Sequence, residues 1–216
     1  MTVITDDKGV VQVVSLIPGV ENIPPGWRCY FPAKCGINPP SIGTFYFESD
    51  WLWPLPGVDV QVPEGAAHQG SFGALRKYDI HSGVDLYCEP GQRVIAVEPG
   101  RVLAIEMFTG AAVGMPWWRE TYAVYVNGAS GMVVYGEIDP TVKVGQQLKA
   151  GDEVGTVMTV LQKDKGLPMT MLHLELHKAG TMRTESWKLG AQPPNTLMDP
   201  TLNLKHAYNG IKKTSK

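Results

Sequence analysis

From residue 92 onward, short apolar runs alternate with turn signals: RVIAVE, then RVLAIEMF, TYAVYVN, GMVVYGEI and DEVGTVMTVL. Each run is the length of a strand and is closed by Gly, Pro, Asn or Asp, so each predicts a β-strand. EPG and NGASG between runs have the composition of hairpin connections, which makes the sheet antiparallel. In MTMLHLELHK (169–178), Leu172, Leu174 and Leu176 alternate with Met171, His173, Glu175 and His177. That period of two predicts a strand with leucines towards a core and the His173 face towards a surface or cleft, His177 lying at the surface. Residues 1–67 break the pattern. Repeated prolines remove ladder donors there, while Trp27, Tyr30, Phe31, Phe45, Tyr46, Phe47, Trp51 and Trp53 argue against disorder. The expectation is an irregular extension (1–67) packed on the core, a β domain (68–204), and a polar, frayed tail (205–216).

Composition supports this picture. The 216 residues, 44% of them hydrophobic, suffice for one full core, and 24 glycines with 17 prolines favour strands and turns over long helices. A net charge of −2 with interspersed signs gives no reason to expect a nucleic-acid partner. No run approaches the roughly 20 apolar residues of a membrane span. The first 20 residues place two aspartates where a signal peptide needs positive charge, so no signal peptide is expected. Cys29, Cys35 and Cys88 fit no metal clip, and the reading is free thiols, with a Cys29–Cys35 bond as the alternative.

Five histidines stand at 68, 81, 173, 177 and 206. His81 and Asp85 in YDIHSGVDLY would lie about 13 Å apart on an extended strand, too far for one ion, so a bend is required and Gly83 supplies the freedom for it. On a helix His173 and His177 would share a face, but Glu175 in HLELH is misplaced for HExxH chemistry, which favours the strand.

The order of motifs over residues 69–204 resembles the lysostaphin/LytM-type zinc endopeptidases. SFGALR (71–76), HSGVDL (81–86), EPGQRVIAVEPGRV (89–102), VKVGQQLKAGDEVGTV (142–157), MLHLEL (171–176) and LMDPTLNL (197–204) match family segments in sequence. The resemblance implies a mainly β fold, an antiparallel sheet or sandwich of the barrel-sandwich hybrid kind. It implies one Zn2+ held by His81, Asp85 and His173, an open fourth position, and water whose pKa is lowered towards about 7. The substrate class it implies is the peptide crosslinks of bacterial peptidoglycan.

Two family histidines are replaced, one by Met171 and one by Glu137. A thioether neither donates nor titrates, whereas Glu137 suits a general base; its alternative role is to orient His81 or His173. Glu175 matches a structural glutamate of the family. His68, in a glycine-rich loop, and Trp117 and Trp118, between strands, are candidate substrate contacts. The rival reading is a catalytically silent zinc-binding or wall-binding regulator. A third reading, suggested because a wall enzyme without its own signal needs another route, is a virion-associated or secretion-system-delivered hydrolase, made in the cytoplasm and delivered to the periplasm or cell wall.

Overall fold

The computed structural model describes the backbone of residues 2–5, 11–14, 27–30 and 46–49, and residues 51–163 and 169–214 except Ala66; side chains are described from Trp51 to Ile211. Two compact units divide at Asp50/Trp51. In the first, β1 (Thr2–Thr5) pairs antiparallel with β2 (Val11–Val14), and β3 (Trp27–Tyr30) with β4 (Tyr46–Ser49). The irregular extension expected over 1–67 therefore contains paired strands, and its last 17 residues belong to the second unit. The Cys29–Cys35 alternative lies outside the described residues; Cys88 is a free thiol.

The second unit is mainly antiparallel β. Its strands are β5 (Asp79–Ile80), β6 (Val84–Tyr87), β7 (Arg93–Ile95), β8 (Gly100–Thr109), β9 (Thr121–Gly128), β10 (Met132–Pro140), β11 (Gln147–Leu148), β12 (Glu153–Val157), β13 (Met171–His177), β14 (Trp187–Lys188) and β15 (Leu197–Met198). Nine of them form one sheet, running β11-β8-β9-β10-β12-β7, with β13 joined to β10, β6 and β15. The strands expected from the apolar runs are present as β7, β8, β9, β10 and β12. Leu172, Leu174 and Leu176 of β13 join Val84, Leu86, Val133 and Tyr135 in the main core, as alternation predicts. Trp51, Trp53, Leu55 and Val62 pack into the same core, and Leu52 and Pro54 exchange backbone hydrogen bonds with Val97 and Ile95 beside β7.

The fork in the sheet positions the site. On one side β10 pairs β9; on the other it pairs β13 from Met132 to Gly136 and β12 from Ile138 to Pro140. Glu137 sits between the two partners, in a bulge against β9, with φ 64°; among the described residues it is the only non-glycine with positive φ. A bulge turns a side chain away from the direction alternation would give it.

The frayed tail expected from Lys205 is instead helix α1 (Thr201–Thr214). Asp199 Oδ1 accepts the Thr201 N–H at 2.8 Å, Pro200 opens the first turn, and Leu204, Ala207, Tyr208 and Ile211 form a stripe against the core. Among the described residues no helix is long and apolar enough to cross a membrane.

Candidate metal centre

The bend between His81 and Asp85 is real: β5 ends at Ile80, residues 81–83 turn, and Asp85 lies on β6. Gly83 serves it differently from the expectation, since its φ is not in the left-handed region. A Cβ there would stand 2.8 Å from His173 Cε1 and 2.7 Å from the Leu174 carbonyl, so glycine is needed for close approach. Asp85 is directly opposite His173 in the β6–β13 register, and Gly136 of β10 is opposite His173 on the other side. That second glycine leaves room for the Phe108 ring, 5.2 Å from the His173 ring.

His81 Nε2 and His173 Nδ1 lie 3.1 Å apart, and 3.1 and 2.9 Å respectively from Asp85 Oδ1. Among the described residues these three form the one group of His, Cys, Asp or Glu whose ligand atoms lie within 4.8 Å of one another. Their outer atoms are engaged elsewhere. His81 Nδ1 is 2.9 Å from the Ser71 carbonyl, His173 Nε2 is 2.9 Å from Glu175 Oε1, and Asp85 Oδ2 accepts from Arg76. In neutral imidazoles whose outer N–H groups donate, both remaining lone pairs point with Asp85 Oδ1 at one place. Three acceptors facing each other repel unless a cation lies between them, and a His2Asp set with bonds of about 2.0–2.2 Å suits zinc. The residues present therefore fit the ion.

Protonation reflects the same demand for positive charge. Burial alone would raise the Asp85 pKa, but hydrogen bonds from His173 and His81 outweigh it and hold the carboxyl well below the usual range. Burial lowers His81. Burial also works against a charged His173, but its hydrogen bonds to Asp85 and Glu175 win and push it to about 10.

Beside the triad opens a cavity of about 590 Å³. Asp85, Glu137 and Arg76 contribute its polar wall, and Tyr87, Trp118, Leu161 and Met171 part of its apolar wall. Glu137 is buried and its Oε2 has no hydrogen-bond partner among the described residues. Burial, then the nearby Asp85 charge, raise its pKa to about 8. The outer nitrogens of both histidines are taken by Ser71 and Glu175, so Glu137 is not what orients them.

The remaining sequence candidates separate. His68 lines the cavity rim, exposed, with Nδ1 accepting the Gly70 N–H at 3.1 Å; Trp118 lines the wall, while Trp117 is exposed and not part of the lining. His177, expected at the surface, is completely buried, with Nε2 2.8 Å from Glu175 Oε2 and Nδ1 3.2 Å from Thr196 Oγ1. Period two had put it on the His173 face; what alternation cannot show is that β10 and β15 cover that end. Sequence reasoning gave no role to Arg76 or Tyr87. Arg76 stood inside the SFGALR segment, and Tyr87, two residues after Asp85, shares its strand face.

Residues 79–184 match the sequence profile of peptidase family M23. No curated protein matches the chain. Among solved structures, lysostaphin from Staphylococcus simulans is similar at 20% identity and TM-score 0.45, over 69% of this chain and 51% of that one. A putative peptidase M23 from Pseudomonas aeruginosa gives 18%, 0.40, 59% and 44%, and a zinc containing peptidase from Vibrio cholerae 18%, 0.42, 78% and 47%. The chain thus spans about half the length of these proteins.

Proposed function

We propose that this chain, whose β domain belongs to peptidase family M23, is a zinc-dependent endopeptidase cleaving the peptide crosslinks of bacterial peptidoglycan. Family membership supports the reaction class. The observation that carries the rest is a convergent His2Asp set whose Asp85 lines one cavity with a buried carboxyl that has, among the described residues, an unpartnered oxygen. A left-handed φ at a residue other than glycine costs roughly 1–3 kcal/mol, and such strain gathers at functional sites.

Zinc, when bound, would polarise the scissile carbonyl and acidify water enough for attack near neutral pH. His81, Asp85 and His173 would hold it, with Ser71, Arg76 and Glu175 fixing their orientation. Glu137 takes a proton from the attacking water as its oxygen bonds to the carbonyl carbon. The same carboxyl returns the proton to the leaving amine as the C–N bond breaks. A base must be ionised; burial chiefly raises the Glu137 pKa, and a dication beside Asp85 would offset the Asp85 charge that adds to it and so lower it. Delivery to the wall by another protein belongs to this proposal.

Met171 favours a second reading, a silent zinc-binding or wall-binding regulator, because the thioether beside His173 can assist no proton transfer. Digestion of purified peptidoglycan by the zinc-loaded protein, with mass spectrometry of the products, separates the two. Cleavage that falls at least about 100-fold in Glu137→Gln with zinc retained supports the endopeptidase. No cleavage by the wild type at full zinc occupancy, across several wall chemistries, would leave the regulator as the better reading.

A further inference from the structure

Peptide hydrolysis needs, besides a base, a donor aimed at the carbonyl oxygen as it becomes negative. Met171 occupies the cavity-facing position next to His173 on β13 and cannot donate. Among the described residues, the side-chain donors that line the cavity are His68, Gln69, Arg76, Tyr87 and Trp118. Arg76 is committed to Asp85 and the Gln69 carbonyl. His68 and Gln69 are exposed at the rim, and Trp118 lines the cavity from a loop clipped to residues 160–161 by the Arg119 N–H to Val160 carbonyl bond and the Trp118–Leu161 bridge.

Tyr87 differs in every respect. It is half-buried on β6, two residues past Asp85 and therefore on the same face, and it stands directly opposite Met171 in register. Its hydroxyl has no hydrogen-bond partner among the described residues. A Cβ on Gly70 would lie 3.2 Å from both the Tyr87 hydroxyl oxygen and Asp85 Cβ, so the phenol rests on bare backbone beside the triad.

We infer that the Tyr87 hydroxyl donates the hydrogen bond to the oxygen of the scissile carbonyl, work that Met171 cannot do; this rests on the endopeptidase reading. The full-length, zinc-loaded chain is tested with tetraglycine and with its phosphinic analogue, whose central PO2−–CH2 unit mimics the tetrahedral oxyanion. Wild type should bind the phosphinate at least about 100-fold more tightly than tetraglycine. In Tyr87→Phe that preference should fall about 100-fold, with tetraglycine affinity and zinc content unchanged, and cleavage should fall through kcat rather than KM. Gly70→Ala, which keeps the hydroxyl but displaces the ring, should show the same loss. Adding Met171→His to Tyr87→Phe should restore part of the preference, a rescue that lost packing would not allow. An unchanged phosphinate preference in Tyr87→Phe overturns the inference, as does a wild type with no such preference. Wild type that prefers the phosphinate through Tyr87 yet cleaves no wall would instead overturn the endopeptidase reading.

Discussion

Four side chains on one face of β13 divide into two halves that differ in how far their polar atoms are satisfied. At the C-terminal half, Glu175 Oε1 receives His173 Nε2 and Ser82 Oγ, Glu175 Oε2 receives His177 Nε2, and His177 meets Thr196. Burial alone would raise Glu175, but its hydrogen bonds to His173 and His177 outweigh it and keep the carboxyl ionised. At the N-terminal half, Met171 lines a cavity with Asp85, the cross-strand neighbour of His173, and with Glu137, whose Oε2 has no partner among the described residues. Buried polar groups are normally paired, so the complete half acts as support and the incomplete half as a place for a ligand.

The largest effect comes from removing the residue the halves share. His173→Ala deletes one of three ligands and strips Glu175 of a charged partner. Zinc measured by elemental analysis after dialysis should fall from one per chain to background; stoichiometric zinc in the variant would disprove the site. A smaller effect is expected within the supporting half. Glu175→Gln keeps the shape but turns an amide N–H towards His173 or His177, both of which donate. Zinc should still bind at saturation, with an affinity about 10–100-fold lower in competition with a chromogenic chelator. Unchanged affinity would mean that Glu175 only packs.

Much of this contrast was legible in the sequence because it depends on period two. HLELH placed His173, Glu175 and His177 on one face, and the His81–Asp85 spacing demanded the bend that the structure contains. The burial of His177 was not legible, since it depends on strands from distant segments. Nor was the true use of Gly83, which reflects contact with a ring 90 residues away in the chain. Helix α1 was signalled by Asp199-Pro200 and the Leu204, Ala207, Tyr208, Ile211 spacing, yet its charged face resembles a solvated tail. The fork at Glu137 had no sequence signal, because a glutamate carries no preference for positive φ.

That fork yields the effect that isolates strain from chemistry. Glycine adopts φ 64° without steric cost, so Glu137→Gly relieves the backbone while removing the carboxyl. At pH 3 the carboxyl is protonated in both folded and unfolded chains, and the zinc-free variant should gain about 1 kcal/mol in urea unfolding, relief of left-handed strain minus the entropy of a freer unfolded chain. Between the ordinary value of 4.5 and the folded value of about 8, the native chain keeps a proton that the unfolded chain has lost. Wild-type stability from this group therefore falls as pH rises through that window, and the advantage of the variant should widen until about pH 8 and then level off. A variant less stable than wild type at both pH values would show that Glu137 is held by favourable contacts, and the contrast between a satisfied and an unsatisfied half of the site would collapse.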